Sequence, residues 1–168
     1  LDGSGLQQIT NVSSGACQPD WSPDGTRLVF ISPCDDNMET YVGAALFIIN
    51  VDGSDMQTFP IQGTGNYDPD WSPDGKKIVY TSLRETGRPQ IWMLDLGSGE
   101  SLGLSEGFFR DYQPSWSPDG SKIIFISTRQ GPHQIWTMNP DGTNQARFSV
   151  SGDLRNTTPA LSPNGQLL

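Results

Sequence analysis

The pentapeptide Trp-Ser-Pro-Asp-Gly stands at residues 21–25, again at 71–75 and again at 116–120, and a fourth copy at 161–165 has drifted to Leu-Ser-Pro-Asn-Gly. The copies start 50, 45 and 45 residues apart. Self-similarity at such a period means that one supersecondary unit is stacked several times, and this decides the fold before any other reading. It also bears on function. A stack of like units has no built-in active site, so any activity must lie in what breaks the repeat.

The second copy shows the unit most clearly. Pro69-Asp70-Trp71 reads as a short strand a. Residues 72–75 form a tight turn in which proline fixes φ, aspartate bonds back to the backbone and glycine accepts a positive φ. Ile78 to Ser82 reads as strand b, a polar loop runs over 83–89, and Ile91 to Asp95 reads as strand c. A turn at 97–99 leads into a weaker strand d that ends near Ser105. Strands b and c are apolar on both alternating faces, as at 28–31, 46–49 and 123–126, the pattern of strands sandwiched between layers. Strand d mixes in Gln and Thr, as at an outer edge. The longest stretch free of Gly and Pro is the 11 residues 76–86, which are β-rich, so no helix of normal length is expected. The expected fold is all-β, a β-propeller of four-stranded antiparallel blades, with an open solenoid as the rival arrangement.

The unit Pro-x-Trp-Ser-Pro-Asp-Gly, then Lys-x-Ile-x-Tyr/Phe-x-Ser, then Gln-Ile-Trp-x-Met, then an Asp-Gly turn, resembles the WD40-like (PD40) repeat of TolB-type propellers. The same repeat builds the propellers of tricorn-type and prolyl-oligopeptidase-type peptidases. The resemblance covers essentially the whole chain and implies a propeller fold. It implies function more weakly, because propellers host many unrelated roles.

Aligned on the repeat, residues 1–15 hold strand d of a preceding blade. Three complete blades occupy 16–65, 66–110 and 111–155, and 156–168 begin a further one. The terminal partial blades do not add up to one blade, because strand c is missing. Two outcomes are expected: a piece of a larger propeller of about six to eight blades, or a chain whose open blade faces and edges associate with partners or with copies of itself. The opening at Leu1-Asp2-Gly3, inside a unit and without an initiating Met, suits a mature or trimmed piece.

Ten Lys and Arg are scattered among nineteen Asp and Glu, for a net charge of −9. A nucleic-acid partner needs a basic track, so none is expected, and anionic membrane surfaces are disfavoured for the same reason. The acidity itself reads as solubility. No apolar run reaches the roughly 18 residues of a membrane span.

Catalytic motifs are weak. Residues 103–107 fit Gly-x-Ser-x-Gly, but a nucleophile elbow needs a strand-to-helix turn with a His and an acid nearby. Ser105 ends an outer strand, and the single His of the chain, His133, lies in a b–c loop. No catalytic residue is assigned. One His and two Cys make no zinc site without several carboxylates, and the Asp-Gly turns lack the spacing of a calcium loop, so no metal or cofactor is expected.

Cys17 precedes strand a and Cys34 follows strand b of the same blade, which puts both at one rim. The other blades carry Tyr67 with Arg84, and Tyr112 with Arg129, at these places. A Cys17–Cys34 disulfide would close a loop of about 18 residues and stabilise by roughly 3 kcal/mol. The alternative is two half-buried free thiols. A disulfide points to a periplasmic or extracellular location, in line with what the TolB resemblance implies.

What recurs is architecture, so recognition is sought where the units differ. The Ser-Pro-Asp-Gly and c–d turns share one face of the disc, and the d–a and b–c loops share the other. The first b–c loop, 33–45, is longer than its counterparts and carries Asp35 and Tyr41. The other loops bring Tyr67, Asp68, Arg84, Arg88, Phe108, Arg110, Asp111, Tyr112, Arg129 and His133. Aromatic and Arg side chains on loops held by a rigid scaffold are the chemistry of protein or peptide recognition. Against this, Arg84 and Arg129 could pair with acids of neighbouring blades, and Phe108 and Phe109 could pack between blades. The expected role is a non-catalytic scaffold that binds protein or peptide through the variable face. The alternatives are an accessory propeller of a larger peptidase or glycan-processing enzyme, and a structural subunit that self-assembles through its unmatched strands.

Overall fold

The computed structural model describes residues 4–34, 41–59, 65–131, 133–148, 159 and 162. Among them are twelve strands and no helix. β1 (Cys17–Trp21), β2 (Arg27–Ser32), β3 (Ala45–Asn50) and β4 (Gln57–Thr58) form the first sheet. β5 (Asn66–Trp71), β6 (Lys77–Ser82), β7 (Gln90–Asp95) and β8 (Ser101–Gly103) form the second. β9 (Asp111–Trp116), β10 (Ile123–Ser127), β11 (Gln134–Met138) and β12 (Ala146–Arg147) form the third. Each is an antiparallel meander in chain order, and no sheet closes on another. The all-β, four-stranded blade read from the repeat is therefore the observed unit.

Both faces of the middle strands are buried because blades pack face to face. Val29 and Ile31 of the first blade meet Ile78, Tyr80 and Trp92 of the second. Val79, Ile91 and Met93 of the second meet Ile123, Phe125 and Trp136 of the third. The tight turns stack as well: a Cβ on Gly75 would lie 3.5 Å from Pro23, and one on Gly120 would lie 3.9 Å from Pro73. Carboxylates fasten the seams. The backbone N–H of Trp71 donates to Asp20 at 2.8 Å, and that of Trp116 donates to Asp70 at 2.7 Å.

The first repeat unit differs from the others in having no blade packed before it among the described residues. Trp71 and Trp116 are only 5% and 8% exposed, whereas Trp21 is 56% exposed. The strand d expected within 1–15 is not formed by its described residues, since a ladder needs a strand c beside it. Ile9 and Val12 nevertheless pack on Leu28, Phe30 and Ile49. The further blade expected from residue 156 lies outside the described residues, apart from Pro159 and Ser162.

Every inner strand carries the same irregularity. Gln18, Asp68 and Gln113 have φ of 52°, 50° and 52°, each at a register shift. Such a bulge re-aims a side chain. Here it turns the Gln18 amide toward the next blade, where Nε2 donates to Asp68 Oδ1 at 2.8 Å and Oε1 accepts from the Asp68 backbone at 2.7 Å.

Candidate functional site

The b–c loops carry a repeated clamp. Arg84 lies over the Trp92 ring at 3.2 Å from its centroid, and Arg129 lies over the equivalent Trp136 at 5.2 Å. Arg129 also pairs with the fully buried Asp111 at 2.6 Å and donates to Gln145. Arg129 thus takes an acid of its own blade, and both arginines seat on a Trp of their own blade. In the first blade Phe47 stands where the others have Trp, and a disulfide joins Cys17 to Cys34 with Cα atoms 5.9 Å apart. The bridge replaces the cation–π clamp where its arginine is missing.

The remaining candidates separate by environment. Tyr67 is buried in the seam between the first two blades, with the Tyr41 ring 5.6 Å away. Burial, then the neighbouring Asp68, raises its phenol pKa, while Arg110 acts in the opposite direction. Asp68 is held by Gln18, Thr81 and the Gln113 backbone, yet burial pushes its carboxyl up to about 6. Tyr112 meets His133 edge-on at 5.4 Å. Asp35 lies outside the described residues.

The d–a loop between the second and third blades is different. Phe108 is 85% exposed and Phe109 44%, so neither ring packs between blades. Their backbone is nonetheless held. Arg88 Nη1 donates to the Phe108 carbonyl at 2.8 Å, and Gln90 Nε2 donates to the Phe109 carbonyl at 2.7 Å. The Arg110 N–H donates to Thr128 Oγ1 at 3.1 Å, and the Thr128 N–H donates back to the Arg110 carbonyl at 3.1 Å. Ser105 belongs to this support: buried, its hydroxyl accepts from the Ile91 N–H at 2.9 Å and reaches Gln90 Oε1 at 3.4 Å. Gln90 was not singled out from the sequence, where Gln-Ile-Trp reads only as repeat; its burial inside a strand is the signal of a side chain with a bonding task.

The opposite face has two like clefts of about 470 and 480 Å³ between successive turns, lined by Pro73, Asp74, Lys77 and Trp116, and by Pro23, Asp24, Arg27 and Asp74. They repeat with the blades and follow from turn stacking. Among the described residues no cluster of His, Cys, Asp and Glu is arranged to hold a metal ion, and no helix is long and apolar enough to cross a membrane.

The profile of the TolB beta propeller domain matches residues 2–168. No curated protein matches the chain. Among solved structures, TolB from Acinetobacter baumannii superposes with a TM-score of 0.78 at 21% identity, over 98% of this chain and 39% of that one. A TolB of Agrobacterium tumefaciens gives 0.70 at 26% identity, over 94% of this chain and 69% of that one. The β-propeller domain of the Trilobed protease from Pyrococcus furiosus gives 0.58 at 18% identity, over 80% of this chain and 42% of that one. The chain thus spans about two fifths of the Acinetobacter protein.

Proposed function

The chain belongs to the TolB β-propeller family, and we propose that it is a non-catalytic scaffold that binds a protein or peptide through the face carrying its d–a and b–c loops. One observation carries this reading: Phe108 stands 85% exposed on a loop whose carbonyls and N–H groups are bonded to the rigid blades around it. Two adjacent aromatics, Phe108 and Phe109, exposed on a backbone already fixed lose little freedom on binding, which suits a recognition role. The Cys17–Cys34 disulfide and the family membership support a periplasmic or extracellular setting.

A photo-crosslinking phenylalanine analogue at position 108, compared with one at position 76 on the turn face, tests the reading. An adduct formed in the native host from position 108 and not from 76 is expected. Equal adducts from both positions, or none from 108, overturn it.

A second reading, an accessory propeller of a larger peptidase, draws on the fold shared with the Pyrococcus protease propeller and with a puromycin hydrolase, the latter at a TM-score of 0.67. A hydrolase domain in the same polypeptide would favour it.

A further inference from the structure

The loop that presents Phe108 departs from the repeat at one structurally demanding position. In the first two units the equivalent position is Gly15, two residues before β1, and Gly65, directly before β5, with φ of +77° and +81°. Neither has room for a side chain: a Cβ on Gly15 would lie 2.6 Å from the Cys34 carbonyl oxygen, and one on Gly65 would lie 2.7 Å from the Leu83 side chain. In the third unit that position is Arg110. The Leu83 N–H donates to the Gly65 carbonyl just as the Thr128 N–H donates to the Arg110 carbonyl. Thr128 therefore occupies the place of Leu83. Arg110 does not share the positive φ of Gly15 and Gly65, and the Thr128 hydroxyl takes up its N–H. The pair Gly65–Leu83 has become Arg110–Thr128, an exchange that puts a side chain, ending in a guanidinium, where the earlier units carry none.

That guanidinium has no structural task comparable to those of Arg84 and Arg129. Arg110 is exposed, and it forms no ion pair among the described residues. Glu85 and Glu106, exposed on the adjoining loops, do not pair with it either. They keep the local charge near balance, which favours one directed carboxylate contact over attraction of a polyanion.

We propose that Phe108 and Arg110 form a two-point docking site for an acidic peptide segment, in which an apolar side chain lies on the Phe108 ring and an adjacent carboxylate pairs with Arg110. This deepens the loop-face reading and rests on it. Phe109 widens the apolar contact, and the bonds from Arg88 and Gln90 hold the loop in place before the peptide arrives.

The test titrates two acetylated, amidated hexapeptides, identical but for a central Leu-Asp or Leu-Lys pair, into isotope-labelled protein followed by NMR. The Leu-Asp peptide should give saturable shifts at residues 107–111 and bind about tenfold tighter than the Leu-Lys peptide. Phe108→Ala should abolish the shifts. Arg110→Gly, which restores the repeat residue, should erase the preference, and Arg110→Glu should reverse it. Both substituted residues are exposed, and unchanged dispersion of the core resonances shows that the variants fold. No saturable shift, or equal binding of the two peptides, overturns the proposal. Saturable shifts at Tyr41 or Tyr112 but not at 107–111 would leave the loop-face reading standing and overturn this one. Shifts confined to the Ser-Pro-Asp-Gly turns would overturn both.

Discussion

Asp70 and Trp116 belong to successive blades, and the Asp70 carboxylate accepts a hydrogen bond from the Trp116 backbone at 2.7 Å. Asp20 and Trp71 repeat the relation one blade earlier at 2.8 Å. The residue before the third Trp is Ser115, so the series stops there. Asp70→Ala should therefore cost about 1–3 kcal/mol, the penalty for leaving a buried N–H without its acceptor. Asp70→Asn, which keeps an acceptor oxygen, should cost much less at neutral pH. Urea unfolding of both variants separates the two cases.

The same carboxylates set an unusual pH profile. Burial pushes Asp70 up to about 7 and Asp68 up to about 6, and it raises Asp20 as well. Each acid binds its proton more tightly when folded, so the stability it lends is complete below the unfolded pKa near 3.8 and is lost as pH rises through 6 to 7. Turn aspartates act in the opposite sense. Ser22 with Thr26, and Ser117 with Ser121, hold Asp24 and Asp119 down at about 2, so their contribution disappears as pH falls from 4 toward 2. Thermal melts should peak between about pH 4 and 5 and decline toward pH 8. Asp70→Asn should flatten the alkaline limb and leave the acid limb unchanged.

The blades were legible in the sequence because their signals are local: the Ser-Pro-Asp-Gly turn, and the double-faced apolar runs such as Ile123 to Ile126. The loop face was legible as a location, but its residues were not legible as roles. Arg84, Arg110 and Arg129 look alike in the chain. Only packing tells a cation seated on Trp92 from one in solvent, because the stacking partner lies a strand away. The Asp20–Trp71 bond was hidden for a similar reason. It joins residues 51 apart, and aspartate before Trp reads as strand-edge polarity.

The Cys17–Cys34 bridge spans 17 residues, and opening it should cost about 3 kcal/mol. The loss should be local in its first effect, because the second and third blades keep their own clamps. Hydrogen exchange with and without reductant should show faster exchange at 27–32 and 45–50, with 77–82 and 123–127 little changed. In the reverse experiment, Arg84→Ala should speed exchange at 77–82 and 90–95 of the second blade and leave 123–127 of the third, which keeps its own clamp, little changed.

Gln90 links the buried scaffold to the candidate site. Its amide donates to the Phe109 carbonyl at 2.7 Å and to the Pro89 carbonyl at 2.9 Å, while its oxygen faces Ser105. Gln90→Leu fills nearly the same volume but removes these donors. Two outcomes follow from that difference. The blade should persist, because β7 keeps its ladder to β6 through 78–81 and 91–94. The loop should lose its fixed conformation, so exchange at 106–110 should rise while exchange at 91–94 holds. Binding at Phe108 should then weaken through the entropy of ordering the loop, without loss of any residue that touches the partner. Calorimetry should register this as a less favourable entropy with a nearly unchanged enthalpy. A loss of enthalpy instead would mean that Gln90 contributes to the contact itself.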